Sequence, residues 1–282
     1  MSSTPTHATP PAIAFIGGGN MASALIGGLV RAGHAPASIL AIDPGDAARQ
    51  ALQASFGVRV QPAADAGLAG AGLVVWAVKP QLFAEAAAPC AALVGGALQL
   101  SVMAGIRSDA IAHAIGQAPA AARIVRSMPN TPALIGRGIA GLYATPAVTA
   151  AERHQIEQVL APTGQTLWVD QEADLDAVTA LSGSGPAYVF YMVEAMVAAA
   201  TQMGLSPAQG KRLALATFDG ATALAAQSDE PVATLRERVT SKGGTTHAGL
   251  ESLRADGVAD AIGRAVRAAQ QRARELGDQF GG

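Results

Sequence analysis

The sequence predicts an α/β chain in two parts, a doubly wound sheet followed by an all-α domain, and three observations predict it. Up to about Asp170, short apolar runs alternate with stretches in helical period. From Glu172 onward the strand signal disappears and only the helical period remains. A glycine-rich turn, Gly17-Gly18-Gly19, directly follows the first apolar run.

Taken in order, Ala12 to Ile16 is continuously apolar, and Met21 to Arg31 follows in helical period and ends at Gly33, which reads as strand, turn, helix. Ser38 to Ile42 is the next strand, closed by Asp43-Pro44-Gly45, with a helix from Ala47 to Phe56. Leu73 to Val78 and Leu98 to Met103 are further apolar strands, and Arg123 to Arg126 and Ile139 to Tyr143 follow. Strands that are apolar throughout belong in a parallel sheet covered on both faces. In the second part, Ala187 to Met203, Ala208 to Ala226, Pro231 to Thr240, Ala248 to Asp256 and Val258 to Leu276 all fit the helical period, separated by Gly, Pro, Ser and Asp. The acidic stretch Glu172 to Asp176 is the joint, so the expected domains are 12–170 and 171–282, after a short disordered leader over 1–11.

With 282 residues the chain can bury a full core, and half of them are apolar while only 4% are aromatic, so that core is built from small side chains. A net charge of −2 without a basic run excludes attraction to nucleic acid or anionic lipid, which leaves a small molecule as the ligand. Cys90 is the only cysteine, which excludes an internal disulfide and a Cys-rich metal site; no metal is expected. A reducing cytoplasm fits. Met1 to Pro11 lacks the basic and apolar regions of a signal peptide, and the apolar run Ala187 to Met203 is interrupted by Glu194, so no membrane span is expected.

Gly17-Gly18-Gly19-Asn20-Met21-Ala22 has the form G-x-G-x-x-A at a strand end and a helix start. Gly17 permits the tight turn, Gly19 lets a pyrophosphate approach the backbone, and Ala22 allows close packing of helix on sheet. Asp43 ends the next strand, where an acid accepts hydrogen bonds from adenosine ribose hydroxyls and repels a 2′-phosphate, so NADH should be tolerated. Arg49, on the following helix, could reach back toward a phosphate, but its position there reads rather as a solvated surface charge. Ala77-Val78-Lys79-Pro80-Gln81 and Met128-Pro129-Asn130-Thr131-Pro132 both leave strands at the carboxyl edge, where open sheets place ligands. Lys79 could serve as a catalytic acid, a phosphate contact or a surface lysine, and the residues alone favour the surface.

The stretches Leu181-Ser182-Gly183-Ser184-Gly185-Pro186-Ala187-Tyr188 and Val239-Thr240-Ser241-Lys242-Gly243-Gly244-Thr245-Thr246-His247 each put small hydroxyl residues and glycines at the mouth of a helix. Free N–H groups there suit a small carboxylate. Ser184 is also a candidate N-cap with Pro186 at an early helical position, and His247 reads as structural. The apolar helix Ala187 to Met203 offers more surface than one small domain covers, which calls for a partner subunit.

These motifs in this order, G-G-G-N-M-A, A-V-K-P-Q, M-P-N-T-P, L-S-G-S-G-P-A-Y and V-T-S-K-G-G-T-T, resemble the pyrroline-5-carboxylate reductase family over nearly the whole chain after Pro11. The resemblance implies an N-terminal Rossmann-type doubly wound sheet followed by an all-α C-terminal dimerisation domain, and NAD(P)H-dependent reduction of Δ1-pyrroline-5-carboxylate to L-proline. It implies a homodimer at least, with a ring of dimers such as a decamer as a larger form. Carried over to this sequence, it places the cofactor, NADPH or NADH, against Ile16, Gly17, Gly18, Gly19, Asn20 and Met21, against Asp43, and against Ala77, Val78, Lys79 and Pro80. Met103, Ala104 and Gly105 are implied near the nicotinamide. Ser241, Gly243, Gly244, Thr245 and Thr246 are implied to take the substrate carboxylate, with Ser241 and Thr246 as the catalytic candidates. Asp43 stands where NADPH-preferring members often carry a small hydroxyl residue, and Ala64 where many carry an asparagine, so strict NADPH preference is not implied.

A protonated cyclic imine already accepts hydride readily, so the expected task of the enzyme is positioning. Thr246 is the expected hydrogen-bond donor to the imine nitrogen or carboxylate, with the proton from solvent. Two other classes share the pattern: another two-domain dehydrogenase or imine reductase, and a dinucleotide-binding protein without chemistry. A hydroxyacid dehydrogenase needs a positioned base, and the helical half shows no lysine motif for one.

Overall fold

The computed structural model describes residues 12–280, so the expected leader over 1–11 lies outside the described residues. They form two compact units, one running up to Gly183 and taking back the chain from Ala269, the other Ser184–Ala268.

The first unit contains β1 (Ala12–Ile16), α1 (Asn20–Arg31), β2 (Ile39–Ile42), α2 (Asp46–Phe56), β3 (Arg59–Gln61), β4 (Ala71–Trp76), α3 (Phe83–Ala87), α4 (Ala91–Val94), β5 (Leu98–Ser101), α5 (Ser108–Ala114), β6 (Ile124–Met128), β7 (Gly138–Ala144), α6 (Ala150–Leu160), β8 (Gly164–Trp168) and α7 (Asp174–Val178). Its strands form one sheet in the order β3-β2-β1-β4-β5-β6-β7-β8, the doubly wound arrangement. Every pair is parallel except β6 with β7, and the expectation of a wholly parallel sheet is corrected there. The chain between β6 and β7 holds only the 3₁₀ turn Thr131–Ile135. A parallel return requires a crossover of a dozen or more residues, so this connection forces an antiparallel one. The edge strands β3 and β8 escape sequence reading because neither is an apolar run. Strands β4 and β5 end earlier than expected, at Trp76 and Ser101, while β6 and β7 run on past the expected Arg126 and Tyr143 to Met128 and Ala144.

Alternate residues of β1, β2 and β4 enter opposite cores. Ile13, Phe15, Leu73 and Val75 pack with Leu25, Ile26 and Leu29 of α1 and Ile156 of α6. Ala14, Ile16, Val74 and Trp76 pack with Phe83, Val94 and Ile111 on the other side. Both faces are dry, which is why these strands read as unbroken apolar runs. Each such large side chain contributes roughly 1.5–3 kcal/mol by leaving water. The buried Trp76 indole also donates to Gln99 Oε1 at 2.9 Å and meets Phe83 edge-on at 5.4 Å.

The joint is anchored to the sheet rather than free. Glu172 accepts from the Ser108 N–H and hydroxyl, both at 2.7 Å, and pairs with Arg126 of β6 at 2.9 Å. These contacts draw the chain beyond Asp170 into the first unit and move the compact boundary to Gly183.

The second unit contains α8 (Gly185–Gln202), α9 (Pro207–Ala226), α10 (Val232–Arg238), α11 (Thr245–Ala255) and the start of α12 (Val258–Phe280). Helix α9 begins where Ser206 and Gln209 close a capping box with Pro207 in the first turn. Only Val193 and Ala200 of α8 are buried, while Phe190 and Tyr191 are 65% and 74% exposed.

Candidate active site

The carboxyl ends of β1, β2 and β4 frame a cleft of about 460 Å³. Gly17 leaves β1 with φ +101°, and a Cβ there would stand 2.6 Å from the Ala77 carbonyl oxygen, so no other residue fits. Gly19 is the N-cap of α1 without a side-chain cap, and a Cβ built on it meets nothing within 4 Å. The first N–H groups of α1 are therefore free for an anion, and the backbone leaves room for it, which fits a pyrophosphate.

Asp43 stands opposite this turn. Its Oδ2 accepts from Gly18 N at 2.7 Å and its Oδ1 from Gly45 N at 2.8 Å, so the carboxylate holds the glycine turn as well as lining the cleft. Arg49 is not a solvated surface charge. Its side chain is only 15% exposed, donates to the Asp43 carbonyl at 2.6 Å and pairs with Asp46, because one turn of α2 brings it back over the end of β2.

Of the expected cofactor residues, Ile16, Gly17, Gly18, Gly19, Asp43, Ala77, Val78 and Lys79 come together in the cleft. Asn20 and Met21 form the first turn of α1, Met21 against the core, and Pro80 opens the 3₁₀ turn Pro80–Leu82; none of the three lines the cleft. Met103, Ala104 and Gly105 are not in its lining either. Met103 is buried in the core, and Gly105, at φ +79°, lies so close to α12 that a Cβ would stand 3.3 Å from the Leu276 carbonyl carbon. The cleft also takes Leu82, Glu85, Ala86, Pro89 and Cys90 from the α3 region, which carries no motif that reveals it. Burial pushes the Cys90 thiol up.

The S-G-S-G-P stretch differs from the expected helix start. A π-helical turn, Thr179–Gly183, runs directly on towards α8, Ser184 is itself helical (φ −83°, ψ −20°), and its side chain caps nothing. The Ser184 carbonyl accepts from Ala187 N–H at 3.1 Å, so Ser184 contributes its backbone rather than its hydroxyl to the helix start. Pro186 does occupy the first turn of α8.

The S-K-G-G-T-T loop does end in a helix start, and α11 begins at Thr245, earlier than the expected Ala248. Gly243 takes φ +76°, Gly244 is the N-cap without a side-chain cap, and no acid occupies the first turn. The first backbone N–H groups of α11 and the exposed Thr245 and Thr246 thus present donors without a competing anion.

Residues 172–276 match the pyrroline-5-carboxylate reductase dimerisation family, and residues 12–105 match the NADP oxidoreductase coenzyme F420-dependent family. The chain is 44% identical over 274 residues to a pyrroline-5-carboxylate reductase of Pseudomonas aeruginosa, covering 96% of this chain and 98% of that protein. It is 38% identical over 270 residues to the Haemophilus influenzae enzyme of that name, covering 95% and 98%. The structure is similar to a pyrroline-5-carboxylate reductase from Coxiella burnetii, with TM-score 0.88, 33% identity and coverage of 95% and 99%. It is also similar to the Plasmodium falciparum pyrroline carboxylate reductase solved with NADP bound, with TM-score 0.83, 27% identity and coverage of 95% and 98%.

Proposed function

The chain belongs to the pyrroline-5-carboxylate reductase family, and from that premise we infer how its residues divide the work of reducing Δ1-pyrroline-5-carboxylate to proline with NAD(P)H. The observation that carries the assignment of roles is the pair of uncapped helix starts, α1 after G-G-G and α11 after S-K-G-G.

The first N–H groups of α1 hold the cofactor pyrophosphate, Asp43 meets the ribose, and Ala77 to Lys79 form the wall beside it. When bound, the reduced nicotinamide supplies hydride to the imine carbon. Backbone N–H groups and the Thr245 and Thr246 hydroxyls at the start of α11 hold the substrate carboxylate, with Ser241, Gly243 and Gly244 shaping the loop. Thr246 steadies the imine or carboxylate, and the proton that completes the amine comes from solvent. Positioning of a preformed electrophile accounts for the chemistry without a dedicated acid.

The part after residue 170, which holds the match to the dimerisation family, serves as the oligomerisation domain. Phe190 and Tyr191 lie on the face that a second copy covers in a homodimer, and a ring of dimers such as a decamer is its larger form. The enzyme works in the cytoplasm; none of the helices among the described residues is long and apolar enough to cross a membrane.

The test is NAD(P)H oxidation by the purified protein in the presence of Δ1-pyrroline-5-carboxylate, with proline identified as the product. A folded protein that turns over neither nucleotide refutes the reading.

A further inference from the structure

The turn that carries Asp43 also carries a cation. Asp43 ends the β2 side of the cleft, and both of its carboxylate oxygens already accept backbone N–H groups, from Gly18 and Gly45. Arg49 is bonded to the main-chain carbonyl of that same residue, so the guanidinium lies one hydrogen bond from a group lining the cleft. Its side chain is 15% exposed and held in place, whereas its other partner, Asp46, is 81% exposed. A guanidinium has five N–H donors in a fixed fork, and two partners leave donors unused.

An acid at this position ordinarily selects a free 2′-hydroxyl by repelling a 2′-phosphate. Here a phosphate beside Asp43 meets a positive group fixed to the same turn, and the only carboxylate side chain paired with that group among the described residues, Asp46, sits in solvent and is free to rotate away. A guanidinium fork matches phosphate oxygens bidentately.

We propose that Arg49 recognises the 2′-phosphate of NADPH and that Asp46 competes with that phosphate for the guanidinium, so that one site accepts both nucleotides. The proposal rests on the reading of the cleft as the dinucleotide site. It makes Arg49 a specificity residue that NADH does not need.

Calorimetric titration of the full chain with adenosine 2′,5′-bisphosphate and with AMP tests it without turnover. Arg49→Gln should weaken the bisphosphate at least tenfold and leave AMP within about twofold, and Asp46→Asn should strengthen the bisphosphate severalfold and leave AMP unchanged. In turnover, Arg49→Gln should lower kcat/KM at least tenfold for NADPH while NADH-dependent activity persists. Equal weakening of both probes by Arg49→Gln shows that Arg49 only braces the turn and overturns the proposal, as does an unchanged bisphosphate affinity. An Asp46→Asn protein that binds the bisphosphate no better overturns the competition. Failure of the wild type to bind either probe overturns the reading of the cleft itself, and the proposal with it.

Discussion

At the scale of single residues, Asp43 and Thr246 carry opposite kinds of consequence. Asp43 is a structural acceptor as well as a cleft residue, and a serine in its place cannot serve the Gly18 and Gly45 N–H groups together. Hydrogen bonds to a charged acceptor contribute about 1.5–3 kcal/mol each. Asp43→Ser should therefore lower kcat/KM for both nucleotides, while the ratio of NADPH to NADH use rises because the negative charge is gone. Steady-state kinetics with both nucleotides check this, and unchanged values for both would show that Asp43 does not touch the cofactor. Thr246 stands exposed in the first turn of α11. Thr246→Ala should leave folding intact and lower kcat/KM roughly ten- to a hundredfold, the equivalent of one charge-assisted bond. The same change should matter much less for 1-pyrroline, which lacks the carboxylate. Equal damage to both substrates would move Thr246 from the carboxylate to the imine.

At the scale of elements, the anchorage of α7 gives a pH signature. Asp176, in α7, has its carboxyl pushed up, first by burial and further by Asp278, against the pull of Arg126, Arg274 and Arg107. A carboxyl with a raised folded-state pKa binds its proton more tightly in the folded protein, so it favours folding at low pH and loses that contribution as pH rises through the raised value. Above that value the half-buried charge opposes folding. Asp176→Asn should thus raise Tm at neutral pH, and the gain over wild type should shrink as pH falls towards the ordinary aspartate value of 3.8. Scanning calorimetry across that range decides it, and a variant that is less stable at pH 7 would mean that the arginines outweigh burial. Gly17 marks the other sensitive junction, because its φ of +101° and the Ala77 carbonyl 2.6 Å from any Cβ bind the β1 turn to β4.

At the scale of the whole molecule, the helical unit is incomplete as a surface. Large apolar side chains of α8 and α9, among them Phe190, Tyr191, Leu213 and Leu224, are exposed. Large exposed apolar side chains on two helices of the dimerisation domain mark an interface between copies. Light scattering at micromolar concentration should report at least a dimer, and Tyr191→Glu, which puts a charge at that face, should shift the population towards monomer. A wild-type monomer would contradict the assignment of this face.

The sequence by itself determined the alternation of strands and helices, the glycine turn at Gly17 to Gly19 and the S-K-G-G-T-T helix start, because each follows from hydrophobic period or from a backbone geometry that only particular residues adopt. It also carried the family, through motifs spread along the chain. Tertiary structure alone decided the rest. The strands β3 and β8 exist because a neighbour offers them hydrogen bonds, not because their residues are apolar. The Glu172 anchor joins groups 46 and 64 residues apart, and the α3 wall of the cleft has no local pattern. Arg49 looked like a surface charge from helical position, and only the packing of α2 against the end of β2 turned it back onto Asp43. Local periodicity states which face of an element is apolar; which distant partner meets that face depends on contacts that no short window of sequence contains.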